Sequence, residues 1–320
     1  MSNEHQGERI AKVMARAGLA SRREAEAWIA AGRVTVNGAV ITSPALNVTD
    51  ADKIVIDGVP MRQRERTRLF LYHKPRNLVT THSDPQGRPT IFGALPKSLP
   101  RLIRVGRLDL NTEGLLLLTN DGELARTLEL PQTAWLRRYR VRALGRVTQE
   151  ALDGLRNGVT VNGMRYGAIE ATFDREQGAN VWLSFGIREG KNREVRNVIE
   201  HLGLKVNRLL RVSFGPFELG DLERGDVREL EPGDIKLALG DLALGIDLES
   251  PLTEPRHPEA RAKRASKGDG PGHRGRPSFE ARKERAPQDD GGRPPARPKN
   301  KKRRRDRTGG PRPKYPKGKN

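Results

Sequence analysis

The sequence contains no cysteine. This absence excludes a disulfide framework, a thiolate nucleophile and zinc held by cysteine ligands. Long apolar runs are absent as well: none approaches the roughly 20 residues needed to cross a bilayer, and the N-terminus lacks the apolar centre of a signal peptide. We therefore expect a soluble, cytoplasmic protein with no membrane segment.

Motifs for metals, nucleotides and acyl-transfer nucleophiles are also missing. The six histidines neither cluster nor show an HExxH-like spacing, which are the usual signs of a metal site. No P-loop occurs, and no dinucleotide fingerprint follows a strand. A Ser–His–Asp triad has no fixed spacing, although the nucleophile elbow of one triad class is absent. We expect neither a cofactor nor a metal site.

Acidic residues are too few to balance the basic ones, since the formal net charge is +20. Residues 251–320 hold 23 Lys and Arg against 8 Asp and Glu, a net +15, which leaves +5 for residues 1–250. Such an excess favours a polyanionic partner, and nucleic acid is the first candidate.

Residues 246–320 are predicted to form a disordered tail. From residue 251 onwards the chain is rich in Pro, Gly, Lys and Arg with almost no apolar anchors, so it cannot bury enough surface to offset the entropy of ordering. Its most basic run, Lys301–Arg305, favours non-specific and salt-sensitive attachment to RNA. A purely solubilising role is the alternative.

The pattern of residues 8–58 predicts a compact module of two helices and a small sheet. Apolar residues follow helical spacing over residues 10–17, and Ser21 with Glu24 forms a capping box for the second helix. Asn37-Gly38 predicts a type I′ turn between two short strands.

Four basic residues cluster near these helices and the hairpin: Arg16, Arg22, Arg23 and Arg33. Helix N-termini and arginines converge there, which favours a phosphate-binding face over a merely solvated surface. The capped Ser-Arg-Arg-Glu helix and the Gly-Arg-Val-x-Val-Asn-Gly hairpin resemble the αL-type RNA-binding module, which is shared by a small-subunit ribosomal protein, tyrosyl-tRNA synthetases and several RNA-modifying enzymes. By this resemblance the module implies binding to structured RNA and no chemistry.

The stretch from Val105 to Gly122 predicts a strand, a tight polar loop, a buried strand and a turn. Leu115–Leu118 shows no polar alternation, which is typical of a strand covered on both faces. Asp121 can cap a helix that follows it. The polar loop carries Asp109 between two rigid elements, which is how proteins present a reactive group.

The remaining pattern predicts an α+β fold with a largely antiparallel mixed sheet. A polar linker at residues 59–68 separates the first module from a second domain at residues 69–245. Many short alternating strands with few helices favour this fold class. A helix is expected over Asn192–Leu202, and a strand around Val206–Val212 is expected to complete the core.

Several ordered motifs resemble those of ribosomal RNA pseudouridine synthases of the RsuA/RluB type. The strongest is Gly106-Arg107-Leu108-Asp109-x-x-Thr112-x-Gly114, with the apolar strand and the Asn-Asp-Gly turn that follow it. The others are Tyr72–Pro75 with Asp84–Thr90, Arg138–Val141, and Glu189–Arg196 with Arg208–Val212. With the N-terminal module, the resemblance spans roughly residues 8 to 240. The Asn-Arg-Glu-Val-Arg form of the third motif and the long basic extension favour the large-subunit (23S) enzymes of the family.

The resemblance implies an aspartate-dependent isomerisation of uridine to pseudouridine. The N1–C1′ bond breaks, the base turns and C5 is joined instead, so nothing is oxidised and no cofactor is needed. Departure of the base leaves positive character at C1′, which a carboxylate can trap or stabilise. By the match of motifs, Asp109 is that carboxylate, Arg196 is its partner and Tyr139 stacks on the target base. Attack on the sugar, attack on the base and proton abstraction all stay open for Asp109.

Further residues are expected to contact RNA. By resemblance, Arg107 fills the space that the flipped uridine vacates, whereas Lys74, Arg88 and Lys191 are candidates for phosphate contacts. Glu113 is expected to serve the structure of the loop instead of catalysis.

The expected partner is ribosomal RNA, either free 23S RNA or a large-subunit assembly particle, and the expected state is a monomer. The sequence leaves two rival functions open. One is a non-catalytic RNA-binding or ribosome-assembly factor on the same fold, and the other is an N-glycosidase that releases the base. Intact Asp109, Tyr139 and Arg196 argue against the first rival, because a pure binder need not keep all three.

Overall fold

The computed structural model describes residues 7–62, 65–250 and 252. Its helices are α1 (Ile10–Arg16), α2 (Arg22–Ala30), α3 (Ile91–Ala94), α4 (Gly122–Glu129), α5 (Gln149–Asp153), α6 (Glu194–His201) and α7 (Pro232–Leu239). Short 3-10 turns at Pro131–Thr133 and Gly240–Ala243 come after α4 and α7. Within the described segments, no helix is both long and apolar enough to cross a membrane.

The strands fall into an N-terminal group and a larger second group. The first group is β1 (Glu8–Arg9), β2 (Val34–Val36), β3 (Ala39–Ile41), β4 (Asn47–Val48), β5 (Ile54–Ile56) and β6 (Val59–Pro60). The second group is β7 (Leu69–Lys74), β8 (Ile103–Val105), β9 (Glu113–Thr119), β10 (Arg137–Leu144), β11 (Val159–Val161), β12 (Met164–Tyr166), β13 (Ile169–Gln177), β14 (Asn180–Ile187), β15 (Lys205–Phe214), β16 (Phe217–Glu218) and β17 (Val227–Glu229).

In the N-terminal module, α1 and α2 pack on an antiparallel sheet of order β3-β2-β5-β6. The capping box of Ser21 and Glu24 is formed, and φ is positive at both Asn37 and Gly38, as a type I′ turn requires. Both local predictions are confirmed. The first residues of the predicted linker pair with β5 as the edge strand β6, whereas the predicted domain boundaries at 58, 68 and 245 remain predictions.

One large sheet organises the rest of the chain, in the order β13-β14-β10-β15-β9-β7-β17. Its neighbours are antiparallel except for β15 and β9, which run parallel, so the predicted mixed, largely antiparallel sheet is confirmed. Every residue of β9 is buried, because α4 and α7 cover one face of the strand and α3 with its neighbouring loops covers the other. Cover on both faces explains the unbroken leucine run.

The core continues well beyond β15. Five further apolar residues are buried in one cluster with β9 and α4: Leu219, Leu222, Ile235, Leu239 and Leu248. The expectation that the core ends near Val212 was wrong, because these residues are spread over turns and a short helix that lack a clear periodic pattern. The tail prediction for 246–320 lies outside the described residues, except for residues 246–250 and 252.

Candidate active site

The loop over residues 106–112 connects β8 to β9 and carries Asp109. Backbone contacts fix its shape: Thr112 N donates to Asp109 O at 3.0 Å, and Asn77 N donates to Leu110 O at 2.8 Å. At the start of the loop, Gly106 N donates to Glu129 Oε1 of α4 at 2.6 Å. The loop is therefore closed by one contact of its own and tied to two neighbouring segments, which gives Asp109 a defined position.

Lys74 anchors the same loop from inside the protein. Its side chain is fully buried, and Nζ donates to the carbonyl oxygens of Pro75 at 3.0 Å, Asp109 at 3.1 Å and Thr112 at 3.0 Å. A buried ammonium group with these partners does not reach a phosphate. The expected phosphate contact of Lys74 is thus corrected to a structural anchor, because the sequence could not show that the end of β7 is covered.

The charge of Lys74 gives the protein a predictable response to pH. Burial lowers the pKa of Lys74 to about 8, although Asp109 and Glu113 oppose the shift. An unfolded chain has a lysine pKa near 10.4, so between about pH 8 and pH 10.5 the unfolded state binds more protons and the free energy of unfolding rises with pH. Relative to Lys74→Met, the wild-type protein should gain about 2 kcal/mol between pH 7 and pH 10.

Urea unfolding of both proteins at pH 7 and pH 10 measures this difference. Subtracting the variant removes every titration that the two proteins share. If the free energy of unfolding changed equally in both proteins between pH 7 and pH 10, the Lys74 ammonium would not be desolvated in the fold.

Asp109 faces two guanidinium groups from the start of α6. Arg196 Nε and Arg193 Nη1 each lie 3.9 Å from Asp109 Oδ2. These are ion-pair contacts that are too long for hydrogen bonds. The predicted meeting of Asp109 with Arg196 is present in the structure, and Arg193 is a second cation that the sequence argument did not single out.

Arg196 is buried and also binds the loop that carries Asp109. It is 7% exposed, and Nη2 donates to Asn111 O at 2.8 Å, on the loop that carries Asp109. Burial and the nearby Arg193 lower the pKa of Arg196, with Asp109 opposing, but an arginine in a protein keeps its charge. Arg196 therefore fixes the loop and supplies positive charge beside the carboxylate.

The spacing of Arg193 and Arg196 could have identified the pair. Residues three apart lie on one side of a helix, and Arg193 is the N-cap of α6, with a left-handed φ of 51°. This backbone turn places both side chains at the end of the helix that faces Asp109. The signal was present in the Glu189–Arg196 motif, but only the tertiary fold shows which carboxylate it meets.

A cavity of about 780 Å³ opens beside Asp109, within the size range of ligand-binding pockets. Five residues that the sequence singled out line it: Arg88, Arg107, Asp109, Tyr139 and Lys191. Tyr139 lies on β10, opposite Phe185 of β14, and is 8% exposed. The cavity therefore brings the carboxylate, the tyrosine and three basic side chains to one space.

The basic residues at the cavity differ in whether an acidic side chain already pairs with them. Arg107 is exposed, whereas Arg88 is paired with Asp84 at 2.7 Å and Lys191 with Glu189 at 2.8 Å. Binding of phosphate by Arg88 or Lys191 must compete with these carboxylates, so Arg107 is the least committed of the three.

The arginines of the N-terminal module also fall into exposed residues and residues paired with acids. Arg22 and Arg23 are exposed at the start of α2, and Arg33 is paired with Asp57. Arg16 is mostly buried in ion pairs with Glu8 and with Glu123 of α4. Its expected place on an RNA-binding face is corrected to a contact between the module and the large sheet's helix α4, because both carboxylates enclose its guanidinium.

Two buried acids near the loop have different roles. Glu113 is 1% exposed and is bound by Arg208 at 2.9 Å and Arg224 at 3.1 Å, which supports the structural role expected for it. Glu194 lines the cavity and was not foreseen; burial, together with Glu189, raises its pKa to about 7. In the described part of the chain, no group of three His, Asp or Glu side chains could hold a metal ion.

Two segments of the chain match known families. Residues 8–54 match the S4 domain, and residues 68–201 match the RNA pseudouridylate synthase family. An "uncharacterized RNA pseudouridine synthase" of Rickettsia felis is 43% identical over 70% of this chain and 96% of its own length. A "ribosomal large subunit pseudouridine synthase B" of Pseudomonas aeruginosa is 40% identical over 88% of this chain and 80% of its own length. A solved structure described as a crystal structure of pseudouridylate synthase has a TM-score of 0.50 and 27% identity, covering 71% of this chain and 98% of that chain.

Proposed function

The chain belongs to the RNA pseudouridylate synthase family, and from this membership we propose that it converts uridine to pseudouridine in large-subunit ribosomal RNA. Both resemblances drawn from the motifs, to an RNA-binding module and to a pseudouridine synthase, are confirmed by the family matches. The choice of the large subunit is supported by relatives of Pseudomonas aeruginosa and Haemophilus influenzae, each named a ribosomal large subunit pseudouridine synthase B.

The observation that carries the proposal is the placement of Asp109. Its carboxylate lines the cavity on a loop that Lys74 and Arg196 hold from behind, with two guanidinium groups 3.9 Å away. When the N1–C1′ bond of uridine breaks, positive character develops at C1′, and a fixed carboxylate at that position can stabilise or trap it. The base then turns and joins through C5, so the atoms of substrate and product balance without an external reactant.

Arg196 and Tyr139 support the carboxylate in different ways. Arg196 Nε is buried and has no hydrogen-bond partner among the described residues, so it can donate to Asp109 when the carboxylate shifts toward it. Tyr139 presents a ring at the cavity wall, where a flipped uracil can stack. For Arg107, exposed at the cavity two residues before Asp109, we propose that it fills the space that the uridine leaves.

The reaction itself is the test. Deproteinised large-subunit RNA labelled in its uridines is incubated with the protein and digested to nucleosides, with small-subunit RNA as the matched control. We expect labelled pseudouridine from the large-subunit RNA alone. Free uracil would instead indicate an N-glycosidase, and unchanged uridine would leave only an RNA-binding or assembly factor.

Four further expectations extend the proposal. We infer a monomer, because one chain supplies Asp109 and Tyr139 to the cavity and Arg196 beside Asp109. A large-subunit assembly particle is a second substrate to test beside free RNA, and a cytoplasmic location follows if ribosomal RNA is the substrate. The basic run Lys301–Arg305 is proposed to add non-specific attachment to RNA.

A further inference from the structure

The large sheet has a second face, directed away from the cavity, that is rich in arginine. On β10, Tyr139, Val141 and Ala143 point into the core, so the alternating residues Arg140 and Arg142 lie on the opposite side. We call Arg140, Arg142, Arg175, Trp182 and Arg208 the arginine–tryptophan face.

Strand register aligns these residues across four strands. Arg175 of β13 lies opposite Trp182 of β14, Trp182 lies opposite Arg142 of β10, and Arg142 lies opposite Arg208 of β15. The Arg140 and Arg175 guanidinium carbons stand 5.4 Å and 5.7 Å from the centre of the Trp182 ring. These are cation–π distances, so the indole holds two guanidinium groups in place above the sheet.

Carboxylates on this side neutralise only part of the charge. Arg208 is paired with Glu113 at 2.9 Å, and Arg138 reaches Glu170 only at 4.0 Å. Asp174 accepts hydrogen bonds from a serine hydroxyl with both of its oxygens. Glu113 is thus bound to Arg208, and Asp174 to Ser184, so neither forms an ion pair with the other arginines of the face.

The other three arginines lack such partners. Among the described residues, Arg140, Arg142 and Arg175 form no ion pair within 4.0 Å, and Arg142 Nε is buried without a hydrogen-bond partner. Like charges directly opposite each other on neighbouring strands destabilise a sheet, as for Arg142 beside Arg208. A bound polyanion would offset this repulsion and could pair with the three arginines that have no acid partner.

We propose that the arginine–tryptophan face binds the sugar–phosphate backbone of the substrate RNA, at a second contact on the side of the sheet opposite the cavity. The proposal rests on the proposed RNA-directed function and extends it. Guanidinium groups bind phosphate oxygens through two parallel N–H donors, and a flat sheet carrying an aromatic ring suits a nucleic-acid strand. A membrane surface is disfavoured, because this face offers arginines where an inserted surface needs exposed apolar side chains.

The test compares two triple variants that change the net charge equally. The first replaces the unpaired arginines: Arg140→Gln, Arg142→Gln and Arg175→Gln. The matched control replaces three exposed arginines that are each paired with an acid elsewhere on the chain: Arg146→Gln, Arg156→Gln and Arg228→Gln. Fluorescence anisotropy gives the Kd for deproteinised large-subunit RNA at several salt concentrations.

We expect the Kd of the first variant to rise about tenfold or more at low salt, and the slope of log Kd against log salt to fall by about two. Each phosphate contact contributes about 0.7 to 0.9 to that slope, and the control variant should keep the wild-type slope. Equal shifts in both variants would overturn the proposal. It would also be overturned if the wild-type protein bound vesicles of phosphatidylglycerol, the first variant did not, and the salt slope for RNA were the same in both proteins.

Two additional measurements keep the result interpretable. The first is a variant in which lysine replaces the same three arginines, so that the charge is retained and the RNA affinity should be preserved. The second is the melting temperature of the glutamine variant, which should equal that of the wild-type protein. Together these results exclude a folding defect. Conversion of uridine by the wild-type protein reports on the proposed function separately. Wild-type protein that binds RNA but makes no pseudouridine would overturn the function and leave the binding comparison valid.

Discussion

Asp109→Asn is expected to abolish conversion of uridine while the Kd for RNA stays within about twofold of the wild-type value. The loop is held through the backbone carbonyl of Asp109, which accepts from Lys74 Nζ and from Thr112 N. An asparagine side chain therefore leaves those contacts intact. It removes only the negative charge and one carboxylate oxygen, whose loss should lower the single-turnover rate by on the order of 10³-fold or more.

Asp221→Asn is the matched control, because Asp221 is strongly exposed and pairs with Arg228 far along the chain from the loop. That variant should convert uridine at the wild-type rate. Pseudouridine formed by Asp109→Asn at more than about a tenth of the wild-type rate would mean that the chemistry depends on another group. The buried Glu194, which lines the same cavity, would then be the next residue to replace.

Local sequence rules explain why the frame of this loop could be foreseen. Leu115–Leu118 has an unbroken apolar pattern that only a doubly covered strand needs, and Asp121 accepts from the backbone N–H groups of Glu123 and Leu124, as an N-cap does. Ser21 and Asn37-Gly38 are equally local signals. Each depends on residues within four positions of one another, so a single sequence contains all the information that they require.

Contacts between distant segments could not be foreseen in the same way. The sequence predicts a phosphate contact for Lys74, because nothing near it in the sequence shows that three carbonyl groups surround its amine. Arg193 and Arg196 meet Asp109 across more than 80 positions, and that meeting depends on the parallel pairing of β15 with β9. The family resemblance predicted one of these contacts, between Asp109 and Arg196. Hydrophobic periodicity alone did not predict it.

The arginine–tryptophan face shows a third situation, in which the sequence carries the pattern but not its meaning. Alternation along β10 predicts that Arg140 and Arg142 share a side of the strand. Only the register shows that Trp182 and Arg175 continue the same row on the neighbouring strands. Strand order is a property of the whole fold, so a row of charges across a sheet is invisible until the sheet is assembled.

Gly114 of β9 lies directly opposite Arg211 of β15, and Gly114→Ala should have the largest effect on stability. Gly114 has φ of +103°, and a Cβ atom there would lie 2.2 Å from the backbone oxygen of Arg211 and 2.7 Å from its nitrogen. Backbone strain at such a φ costs about 1–3 kcal/mol, and the forced separation of the strands costs a similar amount. We expect the free energy of unfolding to fall by about 3 kcal/mol or more, measured by urea unfolding.

Gly178→Ala separates the two causes of this loss. Gly178 also has a positive φ, +61°, but a Cβ atom there meets nothing within 4 Å, so its replacement should cost only about 1–2 kcal/mol from the backbone. The parallel pair of β9 and β15 sets the distance between the Asp109 loop and the start of α6. Gly114→Ala should therefore also lower the conversion rate at a temperature where the variant is still folded, whereas Gly178→Ala should not. Equal losses of stability in both variants would show that the contact of the added Cβ atom with the Arg211 backbone contributes nothing to the loss at Gly114.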